Sequence, residues 1–153
     1  MKTMKENITK IFRERFNTEP LVVRSPGRVN IIGEHTDYNE GFVLPAAIDK
    51  SIYAAASKRD DDLISLFAFN YNESAECKME DIKPSKNWAT YIFGVTDQLL
   101  KRGYHIGGFN MAVDGDIPVG AGLSSSAALE CAVVFALNEL FSLQLYAKSH
   151  FFY

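Results

Sequence analysis

Ile8, Ile11, Phe12 and Phe16 recur at the spacing of an amphipathic helix, and the pattern stops short of Pro20, so the first element is predicted to be a helix within residues 1–20. Beyond it the period shortens. Residues 21–24 (LVVR) and 28–32 (RVNII) read as two strands, with Ser25, Pro26 and Gly27 between them as a turn in which Gly27 takes positive φ. Residues 42–48 (FVLPAAI) and 51–57 (SIYAAAS) are expected to be extended. The charged run KRDDD then turns the chain into LISLFAF, whose β-branched and aromatic residues favour another strand. From Trp88 the helical period returns: Trp88, Tyr91, Ile92, Val95 and Leu99 share one stripe, with Tyr91 read as packing and Gly103 as the stop after Lys101 and Arg102. GFNMAVDGDIP alternates through Phe109, Met111 and Val113 into a glycine-rich loop, and a last helix runs from about Ser124 to about Phe141. That helix is apolar on nearly every side, which places it inside the protein. The order helix, strands, helix, strand, helix describes an α/β or α+β mixture with a sheet packed by helices.

Composition narrows the picture. At 153 residues the chain has room for one compact domain, which buries about 70% of its unfolded surface. With 47% apolar and 23% charged residues it belongs with ordinary globular proteins. A net charge of -3 offers no basic footprint for nucleic acid or for an anionic membrane, so any bound phosphate must be held by a local site. The longest apolar stretch, residues 127–137, is interrupted by Glu130 and is shorter than the roughly 20 residues a bilayer requires. The N-terminus lacks the apolar run of a secretory signal. A cytoplasmic protein is expected, with Cys77 and Cys131 reduced, since they have neither zinc-ligand nor disulfide-framework spacing. The closing LQLYAKSHFFY, with no cap or polar tail, suggests a truncated piece of something longer.

Two stretches carry chemistry. In DIPVGAGLSSSAALE a strand delivers the chain to Pro118, Gly120 and Gly122 allow close backbone approach, and Ser124, Ser125 and Ser126 open a helix whose free N–H groups attract anions. The loop is not a Walker A sequence, because the GxxxxGK[ST] lysine is absent, and it lacks the GxGxxG spacing of a dinucleotide site. The plainer alternative makes the serines simple N-caps. The second stretch, RSPGRVNIIGEHTDYNEG, crowds Arg28, Glu34, His35 and Asp37 among glycines at the end of a strand. His35 and Asp37 could also be turn residues, and Arg28 a surface partner of Glu34.

PVGAGLSSSAALE resembles the phosphate-binding motif of the GHMP kinases, GRVNIIGEHTDYNEG resembles the galactokinase signature within that family, and NWATYIFGV resembles a further galactokinase segment. The resemblance runs from about Leu21 to about Leu143, in order. It implies an α+β fold, the GHMP kinase N-terminal domain with a mixed sheet packed by helices, in which residues 21–145 form the sugar-binding and phosphate-loop domain and residues 146–153 an atypical C-terminus. The implied activity is transfer of the ATP γ-phosphate to the anomeric hydroxyl of galactose, with ATP and Mg²⁺ required. By motif position, Glu34, His35 and Asp37 would bind sugar hydroxyls and Arg28 would lie by the reacting centre. Gly120, Gly122, Leu123, Ser124, Ser125, Ser126 and Ala127 would cradle the phosphates. Ser126 would ligate the metal, and Trp88 would lie near the adenine or in the core. The family's catalytic aspartate, in a downstream MDQ segment, and its acidic metal ligand have no counterpart in these residues. The chain alone is therefore expected to be inactive or nearly so. A non-enzymatic galactose and ATP sensor is the alternative; no partner macromolecule is implied, and oligomeric state is left open.

Overall fold

The computed structural model describes residues 3–33, 41–84, 86–118 and 122–145. Helix α1 (Met4–Phe16) starts at a capping box in which the Glu6 N–H donates to the Thr3 hydroxyl while the Thr3 N–H donates to the Glu6 carboxylate. It ends at Asn17, whose left-handed backbone closes the last turn. The strands are β1 (Leu21–Ile32), β2 (Leu44–Lys58), β3 (Leu63–Ala68), β4 (Glu73–Lys78) and β5 (Phe109–Gly115), with helices α2 (Ala89–Lys101) and α3 (Ser125–Phe141) flanking β5 in sequence. The described strands form one sheet in the order β1-β2-β5-β3-β4, antiparallel except where β3 runs parallel to β5. This is the expected α+β arrangement. None of the described helices is long and apolar enough to cross a membrane.

The two sheet faces are covered unequally. α1 lays Ile8 and Phe12 on Ala55, Phe67 and Ala112, while α2 and α3 cover the opposite face through Ile92, Leu99, Val133 and Leu137 against Ala54, Ala56, Ile64, Leu66 and Met111. β5 is consequently buried from Phe109 to Asp114 on both faces. Its apparent alternation is a polar residue here and there on a strand that has no solvent side.

Three expectations are corrected. No turn separates residues 21–24 from 28–32: β1 is one strand, and its register against β2 shifts between Pro26 and Arg28, where Pro26 faces Ser51 and Arg28 faces Ala47. Pro26 is accommodated because β1 is an edge strand, and Gly27 is not among the positive-φ residues. β4, absent from the sequence reading, pairs with β3 despite its polar residues because it forms the other edge. Finally, α3 buries one side, Ala128, Ala132, Val133, Ala136 and Leu137, and leaves Ala127, Glu130 and Cys131 exposed.

Glycines report where backbone meets backbone. A Cβ on Gly108 would press on the Asp61 carbonyl and stand 2.8 Å from the Leu63 oxygen, whereas one on Gly94, exposed in α2, would meet nothing within 4 Å. Gly108→Ala is expected to destabilise by about 2–3 kcal/mol through overpacking, and Gly94→Ala to stabilise by about 0.5–1 kcal/mol through helix propensity. Urea unfolding of the two variants, which should move the midpoint in opposite directions, checks both.

Candidate functional site

Just before α3 begins, Leu123 and Ser124 lie against the edge strand β1. The Arg28 N–H donates to the Leu123 carbonyl (3.2 Å), and the Arg28 guanidinium donates through Nη2 to the Ser124 hydroxyl (3.2 Å). Close approach of the two backbones depends on Gly27. A Cβ there would lie 3.0 Å from the Leu123 oxygen, 3.0 Å from Ile48 Cδ1 and 3.1 Å from Ile117 Cδ1. Gly27 thus serves contact rather than a turn.

Gly122 (φ 70°) and Ser124 (φ 57°) both take left-handed backbone around Leu123. For serine that conformation costs about 1–3 kcal/mol, and its effect is to aim the hydroxyl away from the helix it precedes. Ser124 occupies the N-cap position but makes no capping bond, and its hydroxyl receives Arg28 instead, so the plain N-cap reading of this serine fails. The first turn of α3 carries no acidic side chain and no side-chain cap. Its N–H groups and roughly half a positive charge therefore stand beside a guanidinium, an arrangement suited to an anion.

Next to this turn lies a cleft of about 180 Å³. Ile52, Ala68, Val113, Ile117 and Leu129 give it an apolar lining; Tyr71, Trp88 and Tyr91 contribute aromatic rings; Ser125 and Ser126 face it from α3. Tyr91, read from the sequence as packing, is 36% exposed and belongs to the cleft. The Trp88 indole N–H donates to Glu73 (2.9 Å), and the Asn70 amide donates to the Gly115 carbonyl (2.8 Å). An apolar slot ending in a polar, anion-ready rim fits a flat ring system bearing phosphates better than it fits a uniformly polar or uniformly apolar molecule.

Two carboxylates flank the start of the loop and behave oppositely. Burial pushes the Asp114 carboxyl above the ordinary range, and the nearby charge of Asp116 pushes the same way, against the single hydrogen bond from the Gly115 N–H. Partial burial also works against the charge of Asp116, yet the Ser51 N–H (2.8 Å) and Lys50 (3.2 Å) outweigh it and hold that carboxyl low. Asp116 also donates its own N–H to the Ser51 carbonyl (3.2 Å), and Arg24 donates to the Ser51 hydroxyl (2.8 Å), so the entry to the loop is fastened to β2.

Arg28, Leu123 and Ser124 are therefore in direct contact; Ser125, Ser126 and Trp88 share the cleft; Gly122 shapes the approach; and Ala127 is exposed on the first turn. Glu34, His35, Asp37 and Gly120 lie outside the described residues. Among the described residues no group of three or more His, Cys, Asp or Glu could hold a metal ion. Sequence reading missed Asn70, Tyr71 and Glu73, which carry no motif, and Asp116, for which the acidic residue opening DIP was the available signal. It also missed Asn30, whose side-chain oxygen is buried and finds no hydrogen-bond partner among the described residues.

Comparison with known proteins bears on the family and the fold. The family described as Galactokinase galactose-binding signature matches residues 10–58, and the GHMP kinases N terminal domain matches residues 90–150. A galactokinase from Thermosipho africanus is 50% identical over 123 residues, covering 80% of this chain and 34% of its own length. The crystal structure of Lactococcus lactis galactokinase complexed with galactose superposes with a TM-score of 0.86 at 38% identity, covering 93% of this chain and 38% of that one. Streptococcus pneumoniae phosphomevalonate kinase in complex with phosphomevalonate and AMPPNP shares the fold at 22% identity, with a TM-score of 0.62 over 80% of this chain and 37% of that one. The chain thus spans little more than a third of the relatives it matches.

The raised Asp114 gives a stability test with a definite sign. A native carboxyl that holds its proton more tightly than the unfolded chain imposes no penalty below the ordinary value of 3.8 and loses stability as pH climbs from there through the raised native value. Asp114→Asn keeps an acceptor for the Gly115 N–H and removes the charge. Urea unfolding should find it more stable than wild type near pH 7, with the difference vanishing near pH 3. Equal stability at both pH values would show that burial of the charge is not felt.

Proposed function

We propose, on the premise that this chain belongs to the GHMP kinase family and carries the galactokinase signature, that it is the substrate-gathering part of a galactokinase. The reaction is transfer of the γ-phosphoryl group of ATP to the anomeric hydroxyl of galactose, giving galactose 1-phosphate and ADP. One observation carries the reading: an uncapped helix N-terminus, bordered by an apolar cleft, is bonded directly to Arg28 at the root of the sugar signature. The base lies in the cleft between Trp88 and Ser125, and the triphosphate runs along the first turn of α3. Gly120, Gly122, Leu123 and Ala127 contribute backbone to that cradle. Glu34, His35 and Asp37 bind the sugar hydroxyls, carboxylates accepting and imidazole donating or accepting. Residues 21–145 are the unit that does this.

Phosphoryl transfer places negative charge on the equatorial oxygens of the moving group, so positioning and fixed positive charge supply most of the catalysis. Arg28 is permanently charged and stands where the two substrates meet. The bond it donates to the Ser124 hydroxyl holds the guanidinium at the helix terminus, so it need not be gathered in from solvent when the phosphates arrive. The donor set fits Mg²⁺, which prefers oxygen ligands and keeps waters and substrate phosphates: Ser126 offers one hydroxyl, and no protein cage of carboxylates stands among the described residues. Bound there, the metal would neutralise phosphate charge. A kinase drawing on the ATP pool works in the cytoplasm.

Isothermal titration calorimetry on the 153-residue chain should record binding of both ATP and galactose. Turnover in a coupled assay should fall at least about 100-fold below that of a full-length galactokinase, because the aspartate that the family places in an MDQ segment has no counterpart in these residues. Arg28→Met should weaken ATP about tenfold or more, as loss of a charge-assisted contact does. No heat with either ligand would overturn the assignment, and turnover comparable with full-length enzymes would overturn the division of labour.

A further inference from the structure

One wall of the cleft is formed by Asn70 and Tyr71 of a 3₁₀ turn, Phe69–Tyr71, and β4 begins just behind it at Glu73. Two hydrogen bonds hold that wall. Asn70 donates to the Gly115 carbonyl at the end of β5, and Glu73 accepts from the Trp88 indole N–H at the start of α2. Tyr71 lies between these two anchors, and Tyr71 and Trp88 both line the cleft. Asn70 and Glu73 are exposed, and neither contributes to the core, so the bonds organise the cleft without being needed to bury anything. An indole has a single donor. When a carboxylate receives it, the ring edge is fixed while the faces remain available to a planar group.

Resting on the reading of this cleft as a nucleotide site, we propose that Glu73 is a positioning residue for the nucleobase: by holding the Trp88 indole it sets the surface against which a purine packs, with Asn70 steadying Tyr71 on the same wall. The phosphates, held by the first turn of α3 and by Arg28, do not depend on it. Affinity gained through Glu73 is therefore specific to ligands that carry a base.

Trp88 is the chain's single tryptophan, so its fluorescence reports the site without a label. ATP and inorganic tripolyphosphate are the probes, measured by calorimetry and, for ATP, by Trp88 emission. Glu73→Leu should weaken ATP about three- to tenfold, leave tripolyphosphate within about twofold of wild type, and shift the emission of the free protein as the indole loses its partner. Glu73→Gln, whose side-chain carbonyl still accepts, should stay close to wild type, and thermal melts of both variants should match the parent. If Glu73→Leu binds ATP as wild type does, or loses tripolyphosphate in the same proportion, the inference is wrong. Absence of ATP binding in the wild-type chain would instead overturn the nucleotide-site reading beneath it.

Discussion

The site hangs on the seam between β1 and the entry to α3, where the Arg28 N–H meets the Leu123 carbonyl and the Arg28 side chain meets Ser124, 96 residues further along the chain. Each part of this seam requires another. The backbones approach because Gly27 has no side chain, and Gly27 faces Ile48 in the stretch of β2 where the register slips. Ser124 presents its hydroxyl to Arg28 because its own backbone is left-handed, which also removes it as a cap and leaves the helix end open. A strained serine, an uncapped terminus and an irregular strand pair would each be a defect in isolation. Together they bring a permanent cation to a helix N-terminus.

The electrostatics follow the same economy. A chain of net charge -3 must make any anion site locally, and two carboxylates, Asp114 and Asp116, stand at the end of β5, ahead of the candidate anion site at the start of α3. Asp116 is offset by Lys50 and by the Ser51 N–H, so its charge is spent on fastening the loop to β2. Among the described residues Asp114 has only the Gly115 N–H, and burial outweighs it and pushes the carboxyl above the ordinary range. Both arrangements reduce the negative field at α3, one by pairing and the other by disfavouring ionisation.

The helices were legible because period and punctuation agreed: α1 has apolar spacing and a following Pro20, and α2 is followed by Gly103, whose φ is 83°. The strands were read less well where local signals conflicted with tertiary context. Ser25-Pro26-Gly27 is a good turn sequence, and it became an edge strand because the partner strand bulges around it. β4 was invisible because an exposed edge strand needs little apolar character. The order of glycines and serines singled out the segment before α3 as a candidate anion site, since few physical demands other than close backbone approach call for that order. The cleft could not be read that way. Asn70 and Tyr71 acquire meaning only when the sheet carries them to the end of β5, and Glu73 only when it meets the Trp88 indole; the Arg28–Ser124 bond likewise joins two motifs that lie far apart in the sequence.

Packing explains why the seam closes at all. Ala128, Ala132 and Ala136 recur every four residues on the buried side of α3, and β2 presents Ala54 and Ala56 within the same core. Small residues on both surfaces let the helix axis sit close to the sheet, where α3 packs against both β1 and β2. Leucines at the same positions would satisfy the hydrophobic pattern equally well but would hold the helix farther away, and the serine at its N-terminus would then leave the reach of Arg28. The alanines contribute less burial than larger side chains could, so stability alone does not account for them. What they set is the height of α3 above the sheet, and with it the distance between the cation on β1 and the helix terminus.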